Sequence, residues 1–179
     1  MPARERPAEY AILGLLVGDG QGSHGYDLSR HFSTGEPLGE VLRLEPGMLY
    51  HHLKRLERAG LVGSTAVQEG SRPPKQIYQI THEGRARLTR WLQSPVDHTR
   101  EIRLEFLVKL FFAQRLDPGT TAGLVQTQLD TLRLVQQSLS DQQTDAAGAE
   151  PNAEQTFMQQ VLTLRLAQTD AAIVWLESL

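Results

Sequence analysis

The stretch from residue 45 to residue 62 reads Glu-Pro-Gly-Met-Leu-Tyr-His-His-Leu-Lys-Arg-Leu-Glu-Arg-Ala-Gly-Leu-Val and leaves the chain little choice of local structure. Pro46 suits the first helical position, where its missing N–H has no partner to lose. Gly60 stands where a left-handed C-terminal cap belongs. Between them Leu49, Leu53 and Leu56 recur at helical spacing, which predicts a helix over 46–59 with an apolar seam facing a core. At 3.6 residues per turn, His51, Lys54 and Arg58 fall on the opposite side, with Met48 and Arg55 to one flank. Leucines behind and a basic, hydrogen-bonding face in front are what a major-groove reader needs. A solvated surface helix has the same pattern, so the flanking elements decide between the two.

In front of this helix, residues 8–17 are densely apolar and read as a buried first helix, followed by a Gly-rich loop at 18–22. Ser23 is expected to cap a second helix, in which Leu28 and Phe32 share a face. Tyr26 either packs or faces a phosphate, and packing is the commoner outcome for a tyrosine. Residues 35–39 are expected to break that helix, and Val41, Leu42 and Leu44 to run extended. Behind the basic helix, residues 62–67 read as a strand, 69–75 as a breaker-rich turn, and Ile77, Tyr78 and Ile80 as a returning strand. A hairpin with Arg72 and Lys75 at a proline-containing tip looks like the wing of a winged helix, able to reach a minor groove or a phosphate. Thr81 is placed to cap the next helix, without a full capping box, and Leu88, Trp91 and Leu92 share one side of it.

The Ser-Pro-Val-Asp run at 94–97 marks the expected boundary between residues 1–93, a DNA-facing domain, and residues 94–179, a helical dimerisation domain. Residues 101–112 form a strongly apolar helix. Val125, Leu129, Leu132 and Leu139 then follow a 3/4 spacing that Gln136 interrupts. Residues 141–152 are polar and expected to be mobile. In the last helix Phe157, Val161, Leu164, Ala171 and Trp175 keep the same spacing, so the two long helices should form an antiparallel pair. Leu162, Leu166, Ile173 and Leu176 widen the apolar face beyond one neighbour, and a second subunit is its natural cover. The expected fold is therefore mainly α with a small β-hairpin: a winged helix-turn-helix followed by a coiled-coil-like helical domain.

Charge supports that division. The total is −3, made of +2 over residues 1–93 and −5 over 94–179, and five of the 6 histidines lie in the first part. Absence of cysteine removes disulfides, thiolate catalysis and Cys-based zinc sites and fits a reducing cytoplasm. The apolar run at 10–17 is too short to span a bilayer, and the N-terminus does not read as a signal peptide. No enzyme pattern stands out: the sequence holds no Gly-rich phosphate loop, nucleophile elbow or His-Glu-x-x-His. Adjacent His51 and His52 point about 100° apart on a helix, poor for chelating one ion, so neither metal nor cofactor is expected. Trp91 and Trp175 are candidate lids of an effector pocket, although a core or interface tryptophan is commoner.

Five segments in this order resemble the PadR family of transcriptional regulators. They are Tyr-Ala-Ile-Leu-Gly-Leu-Leu at 10–16, His-Gly-Tyr-Asp-Leu at 24–28, the Pro-Gly-Met-Leu-Tyr helix at 46–61, Tyr-Gln-Ile-Thr-His-Glu-Gly at 78–84 and Glu-Phe-Leu-Val-Lys-Leu at 105–110. The last is similar to the start of the longer C-terminal region in one branch of the family. The resemblance implies a homodimer joined through C-terminal helices, an inverted-repeat operator on double-stranded DNA and, usually, repression. In some members a phenolic or other hydrophobic compound lowers affinity for DNA. On this chain the bases are expected to be read by Met48, His51, Lys54 and Arg55, with Arg58 on a phosphate or guanine, Tyr50 on the backbone, and Arg72 and Lys75 gripping from the wing. Family members often carry a small hydroxyl residue and a proline around the tyrosine. Here Met48 and His51-His52 stand there, and Pro73-Pro74 stiffens the wing, which leaves the operator sequence open but not the mode of binding. The alternative is a winged-helix adaptor that binds protein instead of DNA.

Overall fold

Residues 10–16 are apolar on every side, so the helix they form can only be a central one. In the structure, a computed structural model describing all residues except 1–6, 19, 69–74, 117 and 147–151, α1 (Pro7–Gly18) is buried from Tyr10 to Leu16. β1 (Ser23–His24) leads into α2 (Gly25–Arg30), α3 (Pro37–Val41) and α4 (Pro46–Arg58). β2 (Val62–Val67) and β3 (Lys75–Ile80) precede α5 (His82–Gln93). A 3-10 turn (Thr99–Glu101) and a π turn (Ile102–Phe106) open α6 (Leu107–Leu116), and the long helices α7 (Pro118–Ala146) and α8 (Ala153–Glu177) complete the order.

Helix α4 ends as its composition requires. Gly60 takes φ +71°, the Leu61 N–H donates to the Leu56 carbonyl at 2.9 Å and the Gly60 N–H to that of Glu57 at 2.9 Å. This is a Schellman cap, closed by a residue with no Cβ penalty in the left-handed region. The Thr81 hydroxyl accepts from the Gly84 N–H at 3.1 Å and so caps α5.

Three local expectations are corrected. The wing is a three-stranded antiparallel sheet of order β1-β3-β2: Ser23 pairs with Tyr78 and His24 with Ile77, so Ser23 is a strand residue and His24, not Ser23, stands at the start of α2. Residues 37–41, expected partly as a breaker and partly as extended, form α3, with Pro37 at its first turn. Residues 141–146, expected to be mobile, continue α7; 147–151 lie outside the described residues.

Two apolar clusters divide the interior. The first gathers α1, Leu28, Phe32, Leu38, the leucine seam of α4 and α5. Val108 and Phe112 of α6 belong to this first cluster, so its packing runs across the 94–97 segment. Gly14 makes that possible: a Cβ there would stand 2.5 Å from the Phe112 ring. The second cluster joins Val96, Ile102, Phe106 and Leu110 to α7 and α8. Gln128 is fully buried and pins the connecting segment: its Oε1 accepts from the Val96 N–H at 2.7 Å and its Nε2 donates to the Val96 carbonyl at 3.0 Å. Arg133 meets Glu177 at 2.9 Å and Gln136 meets Asp170 at 2.6 Å, a descending register that makes α7 and α8 antiparallel. Leu162, Ile173 and Leu176 are buried within the protomer, so this part of the widened apolar face is not left to a second subunit. Among the described residues no helix is long and apolar enough to cross a membrane.

Phe112→Ala removes the ring that ties α6 to α1. It should lower unfolding free energy by about 3–5 kcal/mol, read by urea denaturation.

Candidate nucleic-acid interface

The basic face of α4 projects because its reverse is anchored. Leu49 and Leu53 are wholly buried and Leu56 nearly so. His51, Lys54 and Arg58 emerge on the opposite side, exposed, at the helical angles the sequence dictates. Met48 and Tyr50 are exposed on the two flanks. The Tyr50 ring rests on α2, where a Cβ on Gly25 would come within 2.6 Å of it. Beyond it lies Tyr78, whose phenol is pushed up by burial first, then by Glu57 and Tyr50, so it stays neutral. Lys75 is exposed at the tip end of the hairpin, where it forms with Val67 the last ladder pair before the turn, while Arg72 lies outside the described residues.

Four placements differ from the sequence reading or were not drawn from it. Tyr26, expected to pack, is 70% exposed at the head of α2. Its offset from Leu28 and Phe32 on the helix already carried that signal. Arg55 is half-buried, its Nε 3.3 Å from Glu9 of α1. His52, read only as a poor metal partner, is buried with Nδ1 3.1 Å from the same carboxylate; its place among Leu49, Leu53 and Leu56 on the helix was the available signal. Lys109 is fully buried and donates to the Ser94 carbonyl at 2.8 Å and hydroxyl at 3.2 Å, with Glu105 at 3.3 Å.

A cleft of about 860 Å³ opens behind α4, between it, α1, α5 and the π turn. Tyr10, Leu13, Leu56 and Leu104 give it apolar walls, while Arg55, Arg87, Arg100, Glu9, Glu101 and Glu105 bring charge. Neither candidate lid lines it. Trp91 is a buried core residue: it stacks on Tyr10 at 4.3 Å between ring centroids and donates Nε1–H to Glu105 at 3.0 Å. Trp175 packs edge-on against Phe106 at 6.1 Å, in the second cluster. Trp91 is enclosed in the first core and touches two residues of the cleft wall, Tyr10 and Glu105, while Trp175 is half-buried against the second cluster.

On the last helix the outward side carries Phe157, 62% exposed, Leu164, 59% exposed, and Ala171. Val161 and Trp175 are half-buried between the two sides. The inward seam runs through Leu162, Thr169, Ile173 and Leu176. Among the described residues no three of His, Asp and Glu are grouped to hold a metal ion.

A basic helix held out by buried leucines, with a tyrosine-bearing helix before it and an antiparallel wing after it, defines a winged helix-turn-helix DNA-binding protein with a helical C-terminal extension. The chain belongs to the transcriptional regulator PadR-like family, which matches residues 12–90. It is 31% identical over 183 residues to the negative transcriptional regulator PadR of Bacillus subtilis, covering 97% of this chain and 96% of that one. The crystal structure of Bacillus subtilis PadR in complex with operator DNA is 27% identical, with a TM-score of 0.50 over 98% of this chain and 97% of that chain. A structure of the same protein in complex with p-coumaric acid is 26% identical, with a TM-score of 0.42 over 99% and 96%.

Glu105 serves both Trp91 and Lys109, so removing the ammonium leaves a poorly hydrated carboxylate without its cation. Lys109→Ala should cost about 3–5 kcal/mol in urea unfolding, and a Lys109→Met, Glu105→Leu pair should recover much of it.

Proposed function

We propose that this protein is a cytoplasmic, homodimeric repressor that binds an inverted repeat in double-stranded DNA and is released by a small hydrophobic, phenolic compound. The observation that carries the reading is the exposed face of α4, with Lys54, Arg58 and His51 presented together above a buried leucine seam. An α-helix of this kind fits a major groove, where lysine and arginine reach guanine edges or phosphates. Met48 and Tyr50 flank it, Tyr26 adds a hydroxyl for the backbone, and the wing cations Lys75 and Arg72 are assigned to the grip on the backbone. The role of Bacillus subtilis PadR as a negative regulator, and its structure with operator DNA, support the same reading.

Two copies are needed to read an inverted repeat, because a symmetric dimer meets symmetric half-sites about one helical turn, or a multiple of it, apart. Phe157, Val161, Leu164, Ala171 and Trp175 follow a heptad pattern along α8, the spacing of a helix-helix seam. An apolar stripe with Phe157 and Leu164 this exposed is covered most simply by its own copy.

The cleft is the proposed effector site. Its size lies within the range of small-molecule pockets, roughly 300–1,000 Å³, and apolar walls with arginines among the lining residues suit an aromatic acid. The complex of Bacillus subtilis PadR with p-coumaric acid supports that class of ligand.

Replacing both Lys54 and Arg58 by alanine should abolish selective operator binding while leaving the dimer intact by sedimentation. For the wild type, log affinity should fall linearly with log salt, and each lysine or arginine removed from a phosphate should reduce the slope by about 1. A protein-binding adaptor would show neither behaviour. Added p-coumarate should quench Trp91 through Tyr10 and Glu105 and weaken operator binding in the same concentration range; quenching without release would remove the effector role.

A further inference from the structure

The α1–α4 contact contains a directional element that neither the leucine seam nor the basic face explains. One oxygen of Glu9, in α1, holds two α4 side chains: His52 Nδ1 at 3.1 Å and Arg55 Nε at 3.3 Å. The carboxylate is 17% exposed, the imidazole 8% and the guanidinium 35%. His52 and Arg55 are three residues apart, so both sit on the same flank of the helix, off the line of Lys54 and Arg58.

Rotation of α4 about its own axis is the motion such a contact resists. Apolar burial is non-directional, so leucines hold the helix down more firmly than they fix its turn. With an outer radius of about 5–6 Å, a rotation of about 10° carries the tips of Lys54 and Arg58 through about 1 Å. Hydrogen bonds to base edges tolerate only a few tenths of an ångström before weakening. Phosphates, approached from many directions by long side chains, tolerate more.

We propose that Glu9 is a positioning residue for DNA recognition: from α1 it grips His52 and Arg55, sets the rotation of α4, and assigns Arg55 to this clamp instead of to DNA. This rests on the DNA-binding reading above. It assigns Glu9 and His52 a part in specificity although neither faces the groove, and it withdraws Arg55 from the base-reading set that the sequence pattern suggests.

The test uses the full-length dimer, the tightest duplex it selects from a random-sequence library, and a scrambled duplex of equal length. Glu9→Ala and Arg55→Ala should each weaken binding to the selected duplex about threefold to tenfold, and the double variant should be no worse than either single one. Affinity for the scrambled duplex and the slope against salt should stay at wild-type values. Glu9→Gln, which preserves shape and removes charge, should behave as Glu9→Ala does and replaces it should that variant not fold. Equal loss on both duplexes, a salt slope lowered by about 1 in Arg55→Ala, or tighter binding in Glu9→Ala would each overturn the clamp. Failure of the wild type to prefer its selected duplex would overturn the DNA-binding reading, and the clamp with it, and is seen without any variant.

Discussion

Helix α1 has no face to spare for water between Tyr10 and Leu16, and the placement of α4 follows from that. A helix apolar all round must be enclosed, and here α4, α5, α6 and β3 enclose it. The leucine seam of α4 is consumed in that enclosure. What remains on α4 is then turned outward as a set, at angles fixed by the helical repeat. The basic face owes its direction to the burial of something else.

Enclosure of α1 also joins the two parts of the chain. Phe112 comes from beyond the segment at 94–97 yet fills the first core, through a gap that Gly14 leaves for it. That segment is held by Gln128 on one side and by Lys109 at Ser94 on the other. Buried polar groups stabilise only when fully partnered, and these are partnered to specific backbone atoms, so they fix where α5 stops and where the later helices start. The 94–97 segment is therefore held by side chains from α6 and α7 rather than left as an unattached linker.

The cleft occupies the place where those constraints meet. Its walls come from α1, α4, α5 and the π turn ahead of α6, so a molecule inside it touches both sides of the joint. A ligand alters DNA binding only by as much as it favours one arrangement of these walls over another. Among its polar wall groups, Glu9 is engaged with α4, Glu105 with Trp91 and Lys109, and Glu101 with the His98 N–H. The π turn, with its extra residue per turn, is a common device where a helix borders a functional cavity.

Periodicity and capping made much of this legible from residues alone. Leu49, Leu53 and Leu56, with Pro46 and Gly60 at the ends, determine the recognition helix and its exposed residues, because a helix fixes angles from spacing without help from the rest of the chain. Thr81 and the strand pattern at 62–67 and 77–80 did the same for the wing and α5. Spacing could not show what lies opposite a side chain. That Glu9 meets His52 and Arg55 depends on two helices 43 residues apart in sequence; that Ser23 joins the sheet depends on a strand that begins at Lys75. The enclosure of Trp91 by Tyr10 and Glu105 likewise belongs to three separate elements. Local spacing decided which residues α4 exposes, and only tertiary packing decided which groups hold that face in position, because partners across a fold are set by chain crossings that no local period encodes.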